Sequence, residues 1–197
     1  NGSGVDLKSF ALAPIPKKTH FLLIARLLGD KGVREYAEAA QIVIAKYNNV
    51  SFSLAGWLDN NPDAISKKEL DRWIDQGTLN YKGKLMDVRT AISEANIYVL
   101  PSYREGTPRT VLEAMAMGRP IITTDTPGCK DTVIDGDNGY LVPVKSVGKL
   151  VQAMEKLINQ PELIPKMGLR SRQLAEQRYD VHKVNKVMLT AMRIEHD

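Results

Sequence analysis

Six short apolar runs recur along this chain, separated by stretches with helical spacing, and that alternation constrains the fold more than any other feature. The runs are His20 to Ala25, Val50 to Ala55, Leu79 to Tyr81, Ile97 to Leu100, Pro120 to Thr124 and Tyr140 to Val142. Between them, residues 31–47 place Val33, Tyr36, Ala37, Ala40, Val43 and Ile44 on one helical face. Residues 66–75 read as a second helix with Trp73 and Ile74 available for packing, and 87–95 as a third capped by Asp87. Further helices are expected over 147–159, 161–177 and 180–195, the last capped by Asp180. Its stripe of Val184, Val187, Met188 and Ala191 is expected to be partly exposed. Strands alternating with helices predict an α/β fold, a parallel sheet of about six strands covered by helices on both faces. Residues 1–19, which include Pro14 and Pro16, have no steady period and read as a linker. Residues 20–177 then form the α/β domain and 178–197 a terminal helix.

Composition narrows the function classes. At 197 residues with 43% hydrophobic content, the chain is long enough for one substantial core. No apolar run approaches the roughly 18 residues that span a bilayer. The opening Asn1-Gly2-Ser3-Gly4 is polar and uncharged, unlike a secretory leader. Cys129 is the single cysteine, which excludes an intrachain disulfide and disfavours a cysteine zinc site. The net charge of +4 suits anionic ligands or an anionic membrane surface. Basic residues are not interleaved with aromatics, so nucleic acid is not an expected partner. His20, His182 and His196 form no cluster. Neither a Gly-x-Gly-x-x-Gly nor a phosphate-binding Gly-x-x-x-x-Gly-Lys-Ser/Thr occurs, which disfavours nicotinamide cofactors and P-loop chemistry.

The chemistry concentrates where the fourth apolar run stops at Pro101. A polar loop containing Glu105 and Gly106 follows, and a helix opens at Thr107-Pro108, with Thr107 as the expected cap and Pro108 at the first helical position. The free N–H groups of such a first turn favour an anion. Seven residues separate Glu113 from Glu105, and Glu113 lies opposite the apolar side formed by Val111, Leu112 and Met115. After the first strand, Arg26 and Lys31 lie at a strand-to-helix turn on the same sheet edge, where parallel sheets bind ligands. Two cations with helix N–H groups can neutralise a pyrophosphate, while two carboxylates accept from hydroxyls. A nucleotide sugar carries both kinds of group. Gly56-Trp57-Leu58 follows the second strand, where it can line the same cleft, and of the two roles a packed Trp57 is the one expected.

The stretch from Pro101 to Gly118 resembles the Glu-x7-Glu signature of retaining glycosyltransferases of the GT-B fold, in the large family four. The likeness extends from Ala25-Arg26-Leu27-Leu28-Gly29-Asp30-Lys31-Gly32 through Pro127 to Val133 and Asp137 to Pro143, and it covers residues 1–160. It implies a Rossmann-like, donor-binding half of a two-domain enzyme, with the acceptor domain of the parent absent from this sequence. It also implies that Arg26 and Lys31 hold the donor diphosphate, with no metal or cofactor required. Glu105 would bind sugar hydroxyls at the anomeric centre and Glu113 the ribose hydroxyls. Gly106, Thr107 and Pro108 would supply the turn and backbone donors, and the main chain at Lys84-Leu85 would read the base. The expected donor is a nucleoside-diphosphate sugar, UDP favoured, and the acceptor a lipid-linked sugar in bacterial surface-polysaccharide assembly. The expected location is cytoplasmic, with the parent peripheral at the inner membrane face. The fragment alone is expected to bind nucleotide without transferring sugar. A non-catalytic binding module of the same fold is the alternative reading.

Overall fold

The inner strands of the sheet are short and buried on both faces along most of their length, and for that reason they appear in the sequence as largely apolar runs. The computed structural model describes residues 3–191. It contains one sheet of six strands: β1 (Thr19–Ile24), β2 (Val50–Ala55), β3 (Asn80–Tyr81), β4 (Ile97–Leu100), β5 (Ile121–Thr124) and β6 (Gly139–Val142). Their order is β3-β2-β1-β4-β5-β6, with every pairing parallel. The helices are α1 (Val33–Lys46), α2 (Lys67–Asp75), α3 (Arg89–Ser93), α4 (Arg109–Ala116), α5 (Val147–Asn159), α6 (Leu163–Leu174) and α7 (Val181–Ala191). The fold is therefore α/β and Rossmann-like, as the alternation predicts.

Two apolar layers flank the sheet. On one face, Phe21, Leu23, Phe52 and Leu54 pack against α1, α2 and α5, with the Phe21 and Phe52 rings stacked at 4.8 Å. On the other, Leu22, Tyr98 and Leu100 meet Ala91 and Ile92 of α3 and Val111, Leu112 and Met115 of α4. The α1 face expected from its spacing is the buried one, apart from Ile44, which is partly buried. In α2 Trp73 is buried together with Leu70, while Ile74 faces solvent. Ser66 starts that helix with a reciprocal capping box to Glu69.

Several boundaries differ from expectation. Lys31 does not open α1; it ends a single 3-10 turn, Gly29–Lys31, and Gly32 (φ 69°) intervenes before Val33. Thr107 does not cap α4. Pro108 holds the cap position, and its carbonyl accepts from the N–H groups of Val111 and Leu112. The proline's extended backbone (ψ 110°) delays the helix by one residue. The third helix is shorter than expected, Arg89–Ser93, and Val88 rather than Asp87 holds its cap position, although Asp87 accepts from the Arg89 N–H at 2.9 Å; Asp180 accepts from the His182 N–H at 3.0 Å. Helix α6 stops at Leu174 and gives way to a π turn, Ala175–Tyr179, before α7. Of the α7 stripe, Val184 is buried and Val187 and Met188 are exposed, while the Ala191 side chain and the expected continuation to 195 lie outside the described residues.

The segment before β1 is pinned to the domain by arginines. Arg119, fully buried, donates to the carbonyls of Ala13 (3.1 Å) and Pro14 (2.9 Å), and also to those of Ile92 and Ser93. Arg172 donates to Phe10 and Ala116 carbonyls. Val5 bridges to the turn before α7 through the Tyr179 carbonyl and the Val181 N–H.

Candidate functional site

Sheet order reverses between β1 and β4, so their carboxyl ends splay and leave a crevice, the place where open α/β sheets take ligands. A cleft of about 220 Å³ lies there. Its floor is Ile24, Ala25 and Leu100, and its walls carry Arg26, Lys31, Glu105 and Pro108. Larger grooves run along α2, where Lys67 pairs with Asp71 and Glu69 with Arg34.

Two close backbone approaches build the cleft. A Cβ at Gly32 would lie 2.1 Å from the Pro101 carbonyl oxygen, so only glycine lets the β1–α1 turn nest against the loop after β4. That contact places the Lys31 ammonium 2.7 Å from Glu105 Oε1, across 74 residues of sequence, with the two side chains 14% and 17% exposed. Gly128 (φ 82°) backs the Glu105-Gly106 loop from the other side; a Cβ there would meet the Gly106 carbonyl oxygen at 1.5 Å. The block Pro127-Gly128-Cys129 thus supports the loop, and buried Cys129 takes no part in the cleft.

Arg26 is half exposed and lies 3.7 Å from Asp59, a weak pairing that leaves the guanidinium available on the cleft wall. Gly106 and Thr107 belong to the loop between Glu105 and Pro108 but do not line the cleft. Their N–H groups, and those of Arg109 and Thr110, have no acceptor among the described residues. The anion-favouring set expected at Thr107-Pro108 is thus centred one residue later, on Arg109 and Thr110. Glu113 lies farther along α4, half-buried and outside the cleft lining. Burial raises its pKa, Arg109 opposes the shift, and Asp87 adds to it.

Leu85 is partly buried in the layer that holds α3 and α4, and Lys84 is exposed. Neither lines the cleft directly. Their loop reaches it through Trp57, whose ring lies 5.3 Å from the Lys84 ammonium. The Gly83 carbonyl also accepts from the Gly56 N–H. Trp57 is a correction to the sequence reading. It is 42% exposed and lines the cleft, whereas the packed tryptophan is Trp73. Its place directly after a strand end was the available signal.

Glu113 also yields a pH-linked prediction. Its folded pKa lies above the ordinary value of 4.5, so between those two values the native state binds more protons than the unfolded one. Stability from this group is present below pH 4.5 and falls as pH rises through the folded value. Glu113→Gln is therefore expected to stabilise the fold at neutral pH, with the gain disappearing under acid. Urea midpoints of both proteins at pH 7 and pH 4 check this, and a destabilised variant at pH 7 contradicts it.

A six-stranded parallel sheet with a charged cleft at its switch point defines a Rossmann-type ligand-binding domain. Residues 18–160 match the glycosyl transferases group 1, and the chain belongs to that family. One relative, an N,N'-diacetylbacillosaminyl-diphospho-undecaprenol alpha-1,3-N-acetylgalactosaminyltransferase of Campylobacter jejuni, is 34% identical over 76% of this chain and 38% of its own length. The C-terminal domain of a group 1 glycosyl transferase (LpcC) from Francisella tularensis superposes with a TM-score of 0.79 at 26% identity, covering 90% of this chain and 100% of that one. Anabaena Alr3699/HepE, solved in complex with UDP-glucose, shares the fold with a TM-score of 0.83 at 19% identity, over 96% of this chain and 56% of that one. The chain spans half or less of the length of the curated relatives it matches.

Proposed function

We propose that this chain is the donor-binding half of a retaining glycosyltransferase that moves a hexosyl or N-acetylhexosaminyl group from a nucleoside-diphosphate sugar to an acceptor hydroxyl. The observation that carries the reading is the convergence of Arg26, Lys31, Glu105 and the opening of α4 in one cleft at the switch point. The diphosphate lies against the two cations and the free N–H groups of Arg109 and Thr110, which stabilise the charge that develops as the sugar leaves. Arg26 and Lys31 take the part a metal would otherwise play. Glu105 accepts from the sugar and Glu113 from the ribose, while the Lys84-Leu85 loop reads the base. The UDP-glucose in the Anabaena structure favours UDP as the carrier. The diphospho-undecaprenol substrate in the name of the Campylobacter relative favours a lipid-linked acceptor, which would put the parent at the inner membrane face. The rest of the parent supplies the acceptor site. A cleft of about 220 Å³ is smaller than the roughly 300–1,000 Å³ that encloses a small ligand, so a second wall suits it.

With one wall, affinity is expected to be modest, tens of micromolar to millimolar. Calorimetry of the folded chain against UDP, GDP and ADP tests the reading, and no heat with any of the three refutes it. Glu113→Ala is expected to weaken the preferred nucleotide by about 1–3 kcal/mol through the lost ribose hydrogen bonds. Unchanged affinity would remove Glu113 from the site.

A further inference from the structure

Ser102 is fully buried two residues beyond β4 and three before Glu105, between buried Pro101 and partly buried Tyr103. Its hydroxyl oxygen lies 2.9 Å from Glu105 Oε1, 3.1 Å from the Asp30 carbonyl and 3.2 Å from the Arg104 carbonyl. A hydroxyl has one proton to give. The carboxylate oxygen is both the nearest and the only charged acceptor, so it takes that proton. The same Oε1 also accepts from Lys31 at 2.7 Å. Two donors from two directions fix the carboxylate's rotation, and Glu105 Oε2 has no protein donor among the described residues.

Ser102 is itself held in place. Thr124 Oγ1 donates to the Ser102 carbonyl, and Thr123 Oγ1 to that of Leu100 at 2.7 Å. The Tyr103 N–H donates to the Asp30 carbonyl at 2.8 Å. The two threonines are the buried end of β5, so the serine, although in the loop after β4, is fastened to the sheet.

We propose that Ser102 is a positioning residue for Glu105: with Lys31 it occupies Oε1, so that Oε2 is presented to a hydroxyl of the donor sugar. The inference rests on the reading of Glu105 as the sugar-binding carboxylate. Without the serine proton the carboxylate can rotate about its last bond, and ordering it again on binding weakens the sugar contact only.

The test uses the chain as it stands, with whichever of UDP, GDP or ADP it binds best and the glucose conjugate of that nucleotide. Calorimetry on wild type, Glu105→Ala, Ser102→Ala and Ser102→Cys gives the ratio of the two affinities. Cysteine keeps the shape and packing of serine but is a weak donor. The expected result is tighter binding of the conjugate by wild type, with the preference lowered about three- to tenfold in both serine variants. Affinity for the bare nucleotide should stay within about twofold, since the diphosphate does not touch Oε2. A purely structural serine would lower thermal stability and leave the ratio alone, and Ser102→Cys would then behave as wild type; either result overturns the proposal. Equal ratios in wild type and Glu105→Ala overturn the reading of Glu105 and this inference with it. A ratio lost in Glu105→Ala but kept in the serine variants overturns the inference alone.

Discussion

Arg119→Ala is expected to destabilise the domain by about 3–5 kcal/mol, the size seen when one member of a buried charged interaction is removed. Arg119 has no exposed surface and makes no ion pair among the described residues; its acceptors are the carbonyls of Ala13, Pro14, Ile92 and Ser93. Burial pulls its pKa down to about 10, which leaves the guanidinium charged at neutral pH. Five N–H donors in a planar fork can serve carbonyls from two chain segments at once, which a lysine ammonium at a single point cannot. Alanine removes the donor from the carbonyls of Ala13, Pro14 and Ser93, leaves Ile92 only its backbone donors, and adds a cavity. Loss of the fork also releases the segment before β1 from its contacts near α3. For a chain of this length the melting temperature should fall by roughly 10 °C or more, and Arg119→Lys should fall between alanine and wild type. Urea midpoints measure the effect, and an alanine variant within about 0.5 kcal/mol of wild type would show that water replaces the guanidinium at little cost. The cleft is at the opposite, carboxyl end of the strands, so the folded variant should bind nucleotide as before.

Arg119 also marks the limit of what the sequence discloses. A lone arginine before Pro120 reads as a surface residue, because its partners are main-chain carbonyls up to 106 residues away and leave no mark in side-chain pattern. Strands were legible for the opposite reason. Phe21 to Ile24, Phe52 to Ala55 and Ile97 to Leu100 are buried on both faces, so burial writes itself as apolar composition. Arg26, Lys31, Glu105 and Pro108 were legible as candidates because each follows a strand end at the ligand-binding edge. Their pairing was not. The Lys31–Glu105 contact depends on Gly32 nesting against Pro101, a tertiary fact. Ser102 was hidden in the same way, since its proton goes to a carboxylate whose rotamer only the fold determines. Trp57 was misread because the preference of tryptophan for burial outweighed its place directly after a strand end. The cap of α4 was misplaced because Thr107 and Pro108 both suit helix starts, and only the Pro108 carbonyl's bonds to Val111 and Leu112 decide between them.

Under the proposed function, Lys31→Met should produce the largest loss of nucleotide affinity of any single change in the cleft, about 10- to 150-fold for a lost charge-assisted hydrogen bond of roughly 1.5–3 kcal/mol. Methionine keeps the length and apolar stem of the side chain, so the loss reports the ammonium rather than packing. Lys31 acts twice here. It donates to the diphosphate, and it neutralises Glu105, whose Oε1 lies 2.7 Å away in a site only 17% exposed. Removing the lysine therefore leaves a half-shielded carboxylate facing an anion, where low local polarity strengthens the repulsion. Glu105→Ala, by contrast, removes a negative charge from beside the diphosphate and should leave bare-nucleotide affinity unchanged or slightly higher. The two effects cannot then add. Lys31→Met combined with Glu105→Ala should bind the nucleotide several-fold more tightly than Lys31→Met alone, although Lys31 is missing from both. Part of the single-variant loss should also disappear at high salt, where the repulsion is screened. A double-mutant cycle by calorimetry at low and high ionic strength decides the matter. Additivity within about 0.5 kcal/mol would mean that Lys31 and Glu105 meet the ligand independently, and the charge balance proposed for this cleft would fail on that result.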